Sequence, residues 1–212
     1  MTHIALQTAY WPSIAWCSAA WLHTQVELEA LAHYQKGTLS NRCHLVGPNG
    51  LQRLSIPLMK GKHQQTPITE VRIYNDEAWQ RQHWRTIRTA YGSAPYFEHY
   101  VDELKAFYEK KYVFLFDFNT DLTDWVLRQK LGWEGSFTRS TVFELPTLNQ
   151  EPYNIKGDSI GTKDLIPNWF FAARYGQVFQ ERHGFVPNLS VLDLLLCCGK
   201  QSVGILQKSF VP

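Results

Sequence analysis

The chain has 212 residues, with 21 Lys and Arg against 19 Asp and Glu, for a formal net charge of +2. That balance supplies no electrostatic footprint for nucleic acid, which is therefore not expected as a partner. Hydrophobic residues at 44% with charged residues at only 19% argue against disorder and for a sizeable core, so one domain over residues 1–212 is expected.

Ile4-Ala5-Leu6 is a short apolar run that breaks into Gln7-Thr8-Ala9-Tyr10-Trp11-Pro12, with Ser13 placed to cap a helix. This pattern predicts a buried first strand handing over to a helix. Gln25 to Leu31 reads as the neighbouring strand, with Glu29 towards its end. Ligands of α/β proteins bind at the carboxyl ends of such strands. Gln7, Tyr10, Glu29, Lys36, Asn41 and Arg42 thereby become candidates for one cleft.

Asn41–Gly47 and Leu51–Leu58 alternate around Pro48-Asn49-Gly50, which predicts a β-hairpin. Met59 to Pro67 lacks apolar periodicity and reads as a loop whose Lys60 could close over an anion, or simply be solvated. Ile68–Tyr74 alternates as a further strand, and Asn75 or Asp76 can cap the helix that follows. Trp84, Ile87 and Tyr91 mark its buried stripe, with Arg81, Arg85 and Arg88 on another face. His83 lies where the two faces meet, and is either a satisfied structural residue or a functional one.

A second helix follows Ala94-Pro95, carrying Phe97, Tyr100, Val101, Leu104 and Tyr108 inward. A third runs from Asn119 or Thr120, as cap, to Leu131, and Phe137–Phe143 suggests a return strand. From Leu145 to Pro167 the pattern dissolves into Pro, Gly, Asn and charges, and residues 145–180 carry no firm element. Asn188 is placed to cap a helix over Leu189–Cys198, in which Asp193 interrupts an apolar face. A buried carboxylate needs a partner, so Asp193 either forms a structural ion pair or faces the cleft. The expected class is α/β, with mixed α+β left open: a central sheet with flanking helices.

Cys17, Cys43, Cys197 and Cys198 lack metal-site or disulfide-exchange spacing and read as reduced thiols. No metal and no cofactor is expected. The eight Trp suit a core better than a sugar-stacking surface, given the area each buries. The first residues lack the basic flank and long apolar core of a secretory signal, and no apolar run reaches the length of a membrane span. A cytoplasmic location is the expectation.

Gln7-x-x-Tyr10-x-Pro12, the run Tyr34 to Cys43 and Leu54-Ser55-Ile56-Pro57 resemble the WbqC-like protein family. So do Trp79 with His83-Trp84, Tyr91-Gly92-Ser93-Ala94-Pro95-Tyr96-Phe97, Phe114 to Asn119, and the closing run His183 to Leu195. Together they cover most of the chain in order. The chain departs from the pattern at Leu31-Ala32, where many members carry an acidic pair. Between Glu144 and Phe179 a Gly-rich loop is shortened or absent.

The resemblance implies a bacterial protein associated with O-antigen and other surface-glycan synthesis, and a transferase acting on an activated sugar, acyl or aminoacyl donor. On that reading Glu29, Lys36 and His83 are the catalytic candidates. Gln7, Tyr10, Asn41, Arg42, Lys60 and Asp193 are the substrate-binding ones. Its partner is a small activated donor or glycan precursor, and a homodimer stays open. The alternative is a non-catalytic binding or scaffold protein of the same pathway, in which these side chains tie strands together and leave no cavity.

Overall fold

The computed structural model describes residues 3–59, 66–141 and 170–209. Strand β1 (His3–Leu6) leads into helix α1 (Ile14–Trp21), and strand β2 (Gln25–Leu28) returns beside it. The two pair in parallel, with Leu6 opposite Leu28. Parallel strands need a crossover, and α1 supplies it. The Ser13 hydroxyl caps α1 by accepting from the Trp16 amide. Ile14 through Ala20 are all buried, so α1 is a core helix whose faces are all covered, with Ser18 the one polar residue among them.

Strand β5 (Ser136–Arg139) joins the other side of β2, again in parallel, giving the order β1-β2-β5. Strands β3 (Arg42–Gly47) and β4 (Gly50–Ser55) form a separate antiparallel hairpin. Gly47 pairs with Gly50 across the Pro48-Asn49 turn. Gly50 has φ of 99°, a left-handed conformation that glycine adopts without a Cβ clash. The hairpin is as expected, although β4 ends three residues early.

Ile68–Tyr74 is not a strand. Ile68–Glu70 forms a three-ten turn, and only single bridges follow, from Arg72 to Phe114 and from Ile73 to Leu58. Neighbouring backbone partners come from different segments: Ile68 N donates to Ala32 O and Ile73 N to Val113 O. The alternation here reports one-sided burial, with Val71 and Ile73 inward and Glu70 and Arg72 exposed, without a ladder.

Helix α2 (Trp79–Tyr91) buries Trp79, His83, Ile87, Ala90 and Tyr91. The inward stripe is centred on His83, and Trp84 is only half-buried, which corrects the expected face by one position. No side chain caps α2; Asn75 instead donates through Nδ2 to Tyr112 O at 2.8 Å. Arg81, Arg85 and Arg88 are exposed. Helix α3 (Phe97–Glu109) turns Phe97, Tyr100, Leu104 and Tyr108 inward.

Helix α4 (Leu115–Asp124) begins before Asn119 and widens into a π-helical turn over Trp125–Lys130. Asn119 is not a cap: it is buried inside the helix and donates through Nδ2 to Ser40 O at 2.7 Å. Helices α5 (Gln180–His183), α6 (Val191–Cys198) and α7 (Ser202–Lys208) complete the described chain. Ser190, not Asn188, caps α6. Asn188 accepts through Oδ1 from Ala15 N at 2.8 Å, which fastens the approach to α6 onto the start of α1.

Five of the seven described tryptophans, Trp11, Trp16, Trp79, Trp125 and Trp133, lie in the core, so the surplus is spent mainly on packing. Among the described residues no helix is long and apolar enough to cross a membrane. All four cysteines are free. Lys60 and the stretch 145–167 lie outside the described residues.

Candidate functional site

Because β1, β2 and β5 run in the same direction, their carboxyl ends form one edge. Gln7 follows β1, Glu29 follows β2 and Ser140 follows β5. Backbone pairing continues one step beyond the strands, Glu29 N donating to Leu6 O at 3.1 Å and Ser140 N to Leu28 O at 3.0 Å. The Ser140 hydroxyl accepts from Ala30 N at 2.8 Å. Trp16 Nε1 donates to Gln7 O at 2.9 Å and fixes the first turn of the loop.

The Gln7 side chain lies close enough to Glu29 to favour its charged form. Burial pushes the half-buried Glu29 carboxyl above the usual carboxylate range; Gln7 pulls it part of the way back, and the charge of Glu27 adds to the rise. A carboxylate raised in this way is a better proton acceptor while remaining reachable from the edge. Gln7 and Glu29 are thus brought together as the parallel topology requires.

Tyr10 and His83 meet elsewhere, inside the core. The Tyr10 hydroxyl lies 2.9 Å from His83 Nδ1 and 2.7 Å from the Tyr108 hydroxyl, and Trp11 Nε1 donates to Tyr108 at 2.7 Å. An indole N–H can only donate. Leaving no hydroxyl proton unpaired then fixes every direction: Trp11 to Tyr108, Tyr108 to Tyr10, Tyr10 to His83. Nδ1 is therefore the acceptor, and the ring proton sits on Nε2, where a backbone hydrogen bond with Ser55 is available. Burial lowers the His83 pKa to about 4, and the Ser55 contact opposes that only in part. Protonating Nδ1 would reverse the chain and strand the Tyr108 proton between two donors, so the network itself resists the imidazolium.

Trp11 has φ of 42°, rare for a bulky residue. Its indole hydrogen bond and edge-on packing against Phe107 and Trp125 hold the loop between Gln7 and Ser13 in this strained form. The remaining candidates separate. Asn41 is buried, accepting from the Tyr34 hydroxyl and donating to Ile56 O. Arg42 opens β3 opposite Ser55 and is half-buried. Lys36 is exposed in a turn that Thr38 closes onto Gln35 O.

Asp193 meets neither expectation held for it. It is 1% exposed on α6 and accepts from the Tyr175 hydroxyl at 2.5 Å and from Gln177 Nε2 at 3.3 Å. Burial raises its pKa, and these donors restrain the rise. The Tyr91 hydroxyl also bears on this carboxylate, short of hydrogen-bond geometry.

Sequence reasoning missed Ser140, Trp11 and Tyr108. Tyr108 carried a signal, being the last member of the Tyr100-Leu104-Tyr108 stripe at four-residue spacing. Ser140 carried none, because its place depends on β5 pairing with β2.

No curated protein and no solved structure matches the chain. The model of the WbqC-like protein family matches residues 7–156, a span that includes the Gln7–Glu29 edge and the Tyr10–His83–Tyr108 network but stops before Asp193. The chain belongs to the WbqC-like protein family.

Proposed function

We propose that the chain is a transferase of bacterial surface-polysaccharide synthesis, acting in the cytoplasm on an activated sugar or acyl donor, with Glu29 as general base. The observation that carries the reading is Glu29 itself: a carboxylate raised by burial, beside Gln7, at the carboxyl end of the middle strand of a parallel sheet. In the proposed step Glu29 takes the proton from an acceptor O–H or N–H as that atom bonds to the electrophilic carbon of the donor. The bond from that carbon to the leaving group breaks, and the leaving group departs with the electron pair. Gln7 positions the carboxylate. Lys36, Arg42 and Lys60 are assigned to the anionic part of the donor.

A non-catalytic binding protein of the same pathway is the second reading, favoured by one observation. Tyr10, His83 and Asn41 direct their polar atoms to protein partners. The first reading therefore rests its chemistry on Glu29.

The test is a thermal-shift screen of nucleotide sugars, aminoacyl donors and acyl-coenzyme A, followed by product detection with any donor that binds. A donor at 100 times its dissociation constant should stabilise the fold by about 2.7 kcal/mol. Glu29→Gln should leave that shift in place and lower turnover by roughly 10²–10⁴-fold. Turnover unchanged in a folded Glu29→Gln variant removes Glu29 from the chemistry. Binding of a donor without any product favours the second reading.

A further inference from the structure

The start of α2 and the end of α3 enclose an open groove of about 550 Å³, within the usual size range of small-ligand sites. Trp84 and Tyr108 supply its aromatic lining. The Trp84 ring packs near-parallel on Phe97 at 6.3 Å and 23°, and against Tyr108 at 6.1 Å. The protein therefore holds this indole in one orientation while leaving it half-exposed. Three acids, Asp76, Glu77 and Glu109, and three bases, Arg81, Lys105 and Lys111, line the rest with two amides. Lys105 and Glu109 pair across one helical turn at 3.0 Å.

We infer that this groove binds an uncharged saccharide, with the apolar face of one pyranose ring on the Trp84 indole and the hydroxyls on the charged rim. The lining itself decides between ligand classes. A phosphate or carboxylate ligand would meet three carboxylates as well as three cations, so it gains little net attraction. An acyl chain would leave the rim charges facing apolar surface. Sugar hydroxyls both donate and accept, so they satisfy carboxylates, guanidinium and ammonium groups alike, and the charge-assisted bonds so formed are the stronger kind.

The Tyr108 hydroxyl bonds to Tyr10 and Trp11, two residues of the same loop that begins with Gln7. The groove thus backs onto the segment that carries one end of the Gln7–Glu29 pair. The inference rests on the transferase reading only in naming the saccharide as its acceptor; binding as such needs no Glu29.

Saturation-transfer NMR tests the inference, using glucose, galactose, mannose, N-acetylglucosamine and their disaccharides, with glucuronate as the anionic control. Transfer to ring C–H protons of a neutral sugar is expected. Its dissociation constant should rise at least tenfold in Trp84→Ala and several-fold in Arg81→Ala and Glu77→Gln. Should Trp84→Ala fail to fold, the two rim variants, both at exposed positions, carry the test. Absence of transfer from every neutral sugar, unaltered affinity in the groove variants, or preference for glucuronate would overturn it. Groove-dependent binding with no turnover sinks the Glu29 chemistry alone; turnover indifferent to the groove variants sinks the groove alone.

Discussion

The directed chain from Trp11 through Tyr108 and Tyr10 to His83 makes a quantitative claim about acid stability. His83 is 5% exposed and its folded pKa is lowered to about 4 from an ordinary value of 6.5. Between those two pH values the unfolded chain binds a proton that the folded protein refuses. Stability from this group is therefore complete above pH 6.5 and is lost as pH falls towards 4. A full 2.5 units corresponds to about 3 kcal/mol, and by pH 5.5 about 1.4 kcal/mol of it should already be gone.

The perturbation is His83→Gln, which keeps an acceptor for Tyr10 and a donor for Ser55 but cannot titrate. Urea unfolding of both proteins from pH 7.5 to 4 isolates the difference, because Glu29 and Asp193, which shift in the opposite direction, titrate in both. Wild type should lose about 3 kcal/mol more than the variant across that window, with equal m-values. In wild type the His83 ring resonances should titrate with a midpoint of about 4. Parallel stability profiles, or a resonance midpoint near 6.5, would refute the argument that the network forbids the imidazolium.

Three other outcomes follow from the same geometry. Tyr108→Phe strips Trp11 Nε1 of its acceptor and Tyr10 of its donor inside the core, and should cost about 1–3 kcal/mol in urea unfolding. Asp193 is raised by burial, so the stability it contributes is complete at low pH and falls as pH rises through its folded pKa. Asp193→Asn should therefore gain on wild type as pH is raised; a variant that instead loses ground to wild type as pH rises would contradict the assignment. Gly199 has φ of 54°, and a Cβ there would lie 2.5 Å from Tyr96 Cε1. Gly199→Ala should destabilise by about 1–3 kcal/mol, read as a drop in melting temperature.

The opening of the fold was legible because its signals are local. A β-run, a polar loop with proline and a Ser cap encode β1, the turn and α1 within the first 21 residues, and Pro48-Asn49-Gly50 encodes a hairpin by turn chemistry alone. The same locality explains the errors. Asn75, Asn119 and Asn188 each resemble a helix cap by position, yet their side chains are taken by Tyr112 O, Ser40 O and Ala15 N, partners remote in the chain. Ile68–Tyr74 alternates like a strand because Val71 and Ile73 turn inward while Glu70 and Arg72 stay exposed, yet its backbone partners come from separate segments and no ladder forms.

What the sequence determined by itself was the α/β class, the family and the association of Gln7 with Glu29, since a parallel βαβ unit puts both at one edge. Only the tertiary structure decided that Tyr10 and His83 form a separate buried network with Tyr108, that Asp193 answers to Tyr175 and Gln177, and that Trp84 faces a groove. Periodicity tells which side of a helix points inward to within one residue; it does not say which remote segment supplies a hydrogen-bond partner. Those pairings, between residues 73 and 98 positions apart in the Tyr10 network, exist only once α2 and α3 have packed against the loop after β1.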